Sequence, residues 1–449
     1  MKCIIIGGSH AGVAAARALK ILDPRIDVTL IEKNQTLAFI SSGINLVSKG
    51  IIQKLEEAHN YSPKELTDLG VKVLLSTEVL KIEKNEIKVI CTMINDGSTI
   101  TQELPYDFLI AAIGSTPAIP LSLTSEKKDI LTYKSFNESA FALDRIKKAK
   151  KIALIGLGFV GMEFADTWMK EKELFLIDRR DYPLAGYFDE EFIRPILSNI
   201  PNNVTFNLNT TVKKIDKDKK TGTYTLTFHS NEKISNVDLI VSTSSSLPNS
   251  QLLEGLVDLN FDHTVSVNDY LQTSIENIYA VGDLLEKPLF STQLEIGGVF
   301  KPLVSQAQRS GFVAAYNIYS NNQLPYQSSN RTIATTFGEY YLASSGMTEI
   351  DTIIYKRKCV SVTKEISVDG GETLKLQLMF EKGTNILLGA ELLTTSKILV
   401  ELINLLSLMI QTKMDIFDII QSDFYFQPEF TSYARYLQQI ALESLPAIG

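Results

Sequence analysis

Twice in 449 residues the chain runs a block of consecutive apolar residues into a glycine loop and then into a run of helix-forming residues. The first instance is "MKCIIIGGSHAGVAAARALKIL", residues 1–22, and the second is "KKIALIGLGFVGMEFADTWMK", residues 150–170. An unbroken apolar block fits a strand buried on both faces, the kind found in parallel sheets. The small residues after the first loop let the helix lie close to that strand. Each unit is followed by another apolar block ending in an acid: "DVTLIEK" with Glu32, and "ELFLIDRR" with Asp178. Repeated strand–helix–strand units of this kind dictate an α/β fold.

The loops also imply a ligand. Gly7-Gly8-Ser9-His10-Ala11-Gly12 keeps the spacing G-x-G-x-x-G with Ser9 in place of the middle glycine. Ser9 is small enough for a pyrophosphate to approach the backbone. The helix opening near His10 offers free N–H groups and a positive dipole end to phosphates. Glu32, twenty residues beyond Gly12, is placed to accept both hydroxyls of an adenosine ribose. Gly156-Leu157-Gly158-Phe159-Val160-Gly161 is the complete motif, with Asp178 ending the next strand. A single such loop can be an ordinary tight turn. Strand before, helix after and acid at the right distance together favour dinucleotide binding, and two loops imply two dinucleotides with a relay between them. An acid at Asp178 repels a 2′-phosphate and favours NADH over NADPH. Arg179 and Arg180 follow at once and either can grip that phosphate, so both coenzymes stay open.

The length suits about three domains, and 45% apolar content supports sizeable cores. A net charge of −8 argues against a nucleic-acid surface. Cys3, Cys91 and Cys359 lie far apart with no Cys-x-x-Cys pair, which fits a reducing compartment and leaves no disulfide framework or metal site. All three read as strand residues. The N-terminus enters a strand at once, so no secretory signal is expected and the location is read as cytoplasmic. "ILVELINLLSLMIQ" is interrupted by Glu401 and Asn404 and is too short to span a membrane, so it reads as a buried helix, at a subunit contact. "SPKEL" predicts a helix start, with Ser62 as cap, Pro63 in the first turn and Glu65 closing a capping box. The last third mixes strands ("IIYKRKCVSVTK", "TLKLQLMF") with long helices.

Taken in order with "YDFLIAAIG", "NIYAVGD" and "DFYFQPEF", the two loops resemble the two-dinucleotide-binding flavoproteins of the pyridine nucleotide-disulfide oxidoreductase family. The nearest group is that of NADH oxidase, NADH peroxidase and coenzyme A-disulfide reductase. The resemblance spans essentially the whole chain. It implies an FAD-binding Rossmann-like domain (1–118 and 241–323), an inserted NAD(P)H-binding Rossmann-like domain (119–240) and a C-terminal α+β dimerisation domain (324–449), in a homodimer. By the resemblance FAD is held by Gly7, Ser9, His10, Ala11, Gly12, Glu32, Lys33, Ser41, Val79, Ala112, Gly114, Asp283, Pro302 and Leu303. NAD(P)H is held by Gly156, Gly158, Phe159, Val160, Gly161, Asp178 and Arg179. Asp283 matches an aspartate that hydrogen-bonds the ribityl chain of FAD; the plainer reading is a helix N-cap. Ile113 stands where the family has threonine. Phe159 matches an aromatic that covers the flavin and shifts to admit nicotinamide. Glu163 matches an acid beside the flavin, against a plainer solvated or lysine-paired carboxylate. "KPLVSQAQRSG" matches a helix whose positive end lies near the flavin pyrimidine and favours reduced flavin. "DFYFQPEF" resembles a dimer-contact segment, with Glu429 where the group commonly has histidine; on the plainer reading its aromatics only pack.

In that group Phe-x-Ser-Cys-Gly carries the redox-active cysteine. Here the run is Phe39-Ile40-Ser41-Ser42-Gly43. A thiol is partly ionised near neutrality and reaches sulfenate reversibly; an aliphatic hydroxyl does neither. The expectation is no disulfide reductase, no sulfenate-based peroxidase, and hydrogen peroxide rather than water from oxygen. His10 matches the histidine facing that cysteine. A Ser42–His10 nucleophile pair lacks an orienting acid and a Gly-x-Ser-x-Gly elbow. A hydrogen-bonded helix-start histidine, or a proton donor to reduced oxygen, is the expected role. The catalytic set is therefore His10, Ser42, Phe159 and Glu163, passing hydride from NADH to FAD and electrons on to O2. A quinone or partner protein as acceptor is the alternative. A silent FAD-holding sensor is a third reading, against which the intact second loop stands.

Overall fold

The computed structural model describes residues 1–95, 98–119, 129–198, 200–244, 246–285, 302–368, 371–427 and 433–448. The first apolar block becomes the strand Lys2–Ile6, buried from Cys3 onward. It sits centrally in a five-stranded parallel sheet ordered Ile278–Ala280, Phe108–Ala111, Lys2–Ile6, Asp27–Ile31, Lys72–Leu74. The second block, Lys151–Ile155, repeats the plan in a parallel sheet ordered Val204–Asn207, Glu173–Ile177, Lys151–Ile155, Leu239–Ser242, Ile130–Leu131. In both, the strand order reverses beside the strand that feeds the glycine loop. That switch point opens a crevice at the carboxyl ends of the strands, where ligands of open α/β sheets bind.

The small residues of the His10–Leu22 helix serve a second helix as well as the sheet. Gly311 of the Val304–Ser320 helix lies so close that any side chain there would run into the Ala11 carbonyl, with Ala14 and Ala15 alongside. Between the two parallel sheets the chain passes out through Ser115–Pro117 and back through Ser246–Pro248, which pair with each other as an antiparallel ribbon. Three-stranded antiparallel sheets flank each half, built from Thr77–Glu83, Lys88–Asn95 and Ser98–Pro105, and from Val212–Lys217, Tyr224–Phe228 and Lys233–Val237.

The last third forms an antiparallel five-stranded sheet ordered Ile333–Phe337, Tyr340–Gly346, Leu387–Thr394, Glu372–Glu381, Cys359–Val368. Helices Leu402–Gln411 and Arg435–Ile448 cover it around a common apolar core. Here the strand expected over "IIYKRKCVSVTK" is shorter than the pattern suggested. Thr348 and Asp351 form a capping box that starts the helix Glu349–Ile354, and Lys356 then turns the chain with φ +51, so the strand begins only at Cys359. The Ser62 capping box forms as expected, with Ser62 N donating to Glu65 Oε2 at 2.7 Å. "ILVELINLLSLMIQ" becomes a 3₁₀ turn and the Leu402–Gln411 helix, burying Leu402, Ile403, Leu406 and Met409. Among the described residues no helix is long and apolar enough to cross a membrane. Phe424 packs onto the C-terminal core, whereas Tyr425 and Phe426 are exposed; Glu429 lies outside the described residues.

Candidate functional site

Gly7 leaves its strand at φ +104, and the loop is so tight that a side chain at Gly12 would collide with the Gly7 carbonyl. Gly8 N donates to Glu32 Oε2 at 2.6 Å, while Asn34 N and Nδ2 donate to Glu32 Oε1 at 2.7 and 2.6 Å. Glu32 thus braces the loop from the next strand while lining the cavity in front of it. That cavity, about 740 Å³, runs from Gly7, Ser9, Glu32, Lys33 and Val79 to Ala112, Gly114 and Asp283. A second chamber of about 230 Å³ shares Ser9, Ala112, Gly114, Lys134 and Asp283 with it, and adds His10, Ala11, Ser41, Val160, Pro302 and Leu303. Backbone N–H groups and an acid at one end, a polar waist, and a chamber beneath a helix start are the lining that a flavin adenine dinucleotide requires. The residues present fit the group.

The waist contains two residues that sequence reasoning missed. Asp283 lies inside the short 3₁₀ turn Gly282–Leu284, with Val281 in the capping position, so the N-cap reading does not describe it. Its Oδ2 accepts from Ser115 Oγ at 2.8 Å and from Lys134 Nζ at 3.2 Å, and Lys134 also bonds Ser115. Lys134 follows the edge strand of the other parallel sheet. Only the topology brings it here, and no local motif marks it.

The expected catalytic residues divide. His10 lines the second chamber with its ring held against the Phe39 carbonyl and Nδ1 3.5 Å from Asn60 Nδ2. Burial lowers its pKa, with Asp283 and the Phe39 carbonyl opposing. Ser42 heads the short helix Gly43–Ser48 without capping it, and Ser41 rather than Ser42 lines the chamber. The cysteines are elsewhere: Cys3 and Cys91 in the first core, Cys359 in the C-terminal sheet with its pKa pushed up to about 11, chiefly by burial. Glu163 is not the lysine-paired carboxylate, because Lys49 pairs with Asp166 instead. Burial raises the Glu163 pKa, opposed by Lys49 and the Asn45 amide and reinforced by Asp166. The Tyr133 hydroxyl is buried nearby without a hydrogen-bond partner among the described residues.

The second loop repeats the first. Gly156 has φ +101, Gly161 abuts the Gly156 carbonyl, and Leu157 N donates to Asp178 Oδ2 at 2.6 Å. Arg180 N donates to Asp178 Oδ1 at 2.8 Å, and the side chains of Arg179 and Arg180 face solvent. Gly158 faces open space. Phe159 opens the following helix and packs on Tyr187, ring centres 4.4 Å apart. Of this loop Val160 alone reaches the flavin-side chamber; Gly156, Gly158, Phe159, Gly161, Asp178 and Arg179 line neither cavity. Tyr187 was not singled out in the sequence, where it is one aromatic among several in "YPLAGYFDEEF".

Two dinucleotide loops at the switch points of two parallel sheets, joined by a chamber, agree with what the chain is similar to. The NADH oxidase of Enterococcus faecalis is 27% identical, covering 99% of this chain and 100% of that protein. That of Lactococcus lactis is 28% identical with the same coverage. The structure of a water-forming NADH oxidase from Lactobacillus brevis, bound to NADH, superimposes with a TM-score of 0.90 at 25% identity, over 100% of this chain and 99% of that one. The pyridine nucleotide-disulphide oxidoreductase model matches residues 1–310. With the fold, the loops and the match over most of its length in agreement, the chain belongs to the pyridine nucleotide-disulphide oxidoreductase family.

Proposed function

We propose that this protein is an FAD-dependent NADH oxidase that releases hydrogen peroxide: NADH + H⁺ + O2 → NAD⁺ + H2O2. The full-length similarity to NADH oxidases supports the oxidase reading. The product rests on one observation: serine occupies position 42, and the three cysteines sit in strands away from the chamber. The Lactobacillus brevis relative forms water. Here no thiol is available at the chamber to carry peroxide further.

Bound FAD supplies the two-electron chemistry between NADH and O2. The protein's own residues bind, orient and hold protons. Gly7, Ser9, Ala11 and Gly12 present the loop backbone to the pyrophosphate, with Glu32, Lys33 and Val79 at the adenosine end. Ala112, Gly114, Asp283, Ser115 and Lys134 grip the middle, and Ser41, Pro302 and Leu303 bound the flavin chamber. Gly156, Gly158, Val160 and Gly161 present the second loop to NADH. Asp178, with both carboxylate oxygens committed to loop N–H groups, repels a 2′-phosphate beside Arg179. Phe159 swings from Tyr187 to admit nicotinamide. The reaction consumes one proton, and the Glu163 carboxyl and the His10 ring are the proton-holding groups at hand. The corresponding division is 1–118 with 241–323 for FAD, 119–240 for NADH and 324–449 for a homodimer contact that would cover exposed Tyr425 and Phe426. The chain is expected to work in the cytoplasm.

The test is anaerobic reduction of the holoenzyme with NADH, followed by mixing with air-saturated buffer and assay of peroxide. One peroxide per NADH is expected. Stoichiometric water would overturn the proposal, and Ser42→Cys should move the product toward water.

A further inference from the structure

Arg331 is the bulkiest of the fully buried side chains, 2% exposed, yet its backbone sits at φ +55. A large residue in the left-handed region is strained where glycine would not be. The guanidinium donates from Nη1 to Asp351 Oδ1 at 3.3 Å and from Nη2 to Asp351 Oδ2, a two-pronged pair, and reaches the Gly346 carbonyl at 3.4 Å. Asp351 is itself fixed, since Thr348 N and Oγ1 donate to Oδ2 at 3.0 and 2.9 Å. The guanidinium carbon lies over the Tyr187 ring, 5.8 Å from its centre, and the Tyr187 ring packs on Phe159.

Tyr187 is held from both ends of its segment. Leu184 N donates to the Leu157 carbonyl in the second glycine loop at 2.8 Å. On the other side Asp189 N donates to Glu391 Oε2 at 2.9 Å, and the Asp189 carboxylate accepts from Gln377 Nε2 and Glu349 N, both at 3.0 Å. The C-terminal sheet therefore reaches through Arg331 and Glu391 to the segment whose Tyr187 ring packs on Phe159.

We propose that Arg331, anchored by Asp351, is a positioning residue for coenzyme binding: its guanidinium fixes the Tyr187 ring, and Tyr187 sets the resting place of Phe159 at the nicotinamide approach. This rests on the NADH reading of the second loop. A cation fixed by a two-pronged ion pair beside a half-buried ring restrains that ring more than packing alone does. Loosening it forfeits part of the preformed wall and weakens coenzyme binding without touching the flavin chamber.

The experiment uses the holoenzyme carrying Arg331→Gly with Asp351→Asn. Glycine suits the left-handed backbone, and asparagine avoids leaving an unpaired buried charge. Equilibrium titration with NAD⁺, read by Trp168 and flavin fluorescence, should give a dissociation constant about tenfold weaker. Flavin content and the reaction of dithionite-reduced enzyme with O2 should stay within about twofold, since neither depends on the coenzyme wall. In a Tyr187→Leu background the same pair should shift NAD⁺ affinity by less than about twofold. Should the pair variant fail to fold, Arg331→Lys serves instead; it keeps the charge, loses the fork, and should show an NAD⁺ loss that likewise vanishes on Tyr187→Leu. Unchanged NAD⁺ affinity, or an equal loss with and without Tyr187, overturns the proposal. A wild-type enzyme that binds NAD⁺ but yields no peroxide would sink the oxidase reading while leaving this coupling measurable.

Discussion

The two glycine loops are built to one plan and differ in what surrounds them. Each begins with a glycine at φ just above +100, closes with a glycine against the first one's carbonyl, and is tied by a carboxylate from the next strand to its second residue's N–H, Glu32 to Gly8 and Asp178 to Leu157. Above the first loop the Val304–Ser320 helix closes down at Gly311, and Glu32 is only 7% exposed. Before the second, Gly158 faces open space and two arginines stand in solvent. One loop geometry thus suits two kinds of tenancy. Enclosure suits a resident cofactor under the proposed function, and openness suits a coenzyme that must leave after each turnover.

The largest expected break in this symmetry comes from the closing glycines. Gly12→Val should abolish FAD retention, reducing the 450 nm to 280 nm absorbance ratio at least about tenfold, because overpacking here meets backbone that cannot yield. Gly161→Val makes the same collision in the open loop. It should leave bound flavin nearly intact while slowing anaerobic reduction by NADH about a hundredfold, a loss carried by binding geometry alone. Equal flavin loss in both variants would erase the distinction.

A pH effect comes next. Glu391 is wholly buried and its pKa is raised well above the ordinary value, first by burial and then by Asp189, with Glu191 adding and the Asp189 N–H and Arg331 opposing. At pH below about 4.5 the folded and unfolded chains both hold this proton. Above that the unfolded chain releases it first, so stability falls as pH rises until the folded group ionises too. Glu391→Gln keeps an acceptor for Asp189 N and removes that penalty. Its advantage, read from melting temperature, should grow as pH rises above the ordinary carboxylate range. An advantage independent of pH would refute the assignment.

Smaller still is coenzyme choice. Asp178→Asn should raise the ratio of kcat/KM for NADPH over NADH about tenfold, by removing one like charge beside two arginines. Smallest are the helix caps. Ser62→Ala in the first half and Ser135→Ala in the second each remove one side of a capping box, and each should cost about 1 kcal/mol by denaturant unfolding; Ser62→Ala should leave flavin content and NAD⁺ affinity unaltered.

The loops were legible in the sequence because their signals are local. Glycine spacing, apolar strands and a terminal acid all lie within about thirty residues of one another. The same holds for the Ser62 box. Lys134 and Ser115 were not legible, since each meets Asp283 across a long sequence separation, and Tyr187, though near Phe159 in sequence, belongs to no motif whose spacing would betray it. The strand over "IIYKRKCVSVTK" was overextended because a capping threonine outside the apolar run set the helix boundary. Arg331 was hidden for a further reason. Its two unusual properties, a left-handed backbone and complete burial of a cation, are invisible in a string of letters.

The first parallel sheet is stitched from segments on either side of the second, with Ile278–Ala280 as its far edge and the Val304–Ser320 helix closing its loop. On the ribosome, the later-encoded interior sheet therefore has all its strands translated while the N-terminal one still lacks an edge. The interior sheet is thus complete in sequence before the N-terminal one, whose loop-closing helix is complete only once translation has passed Ser320.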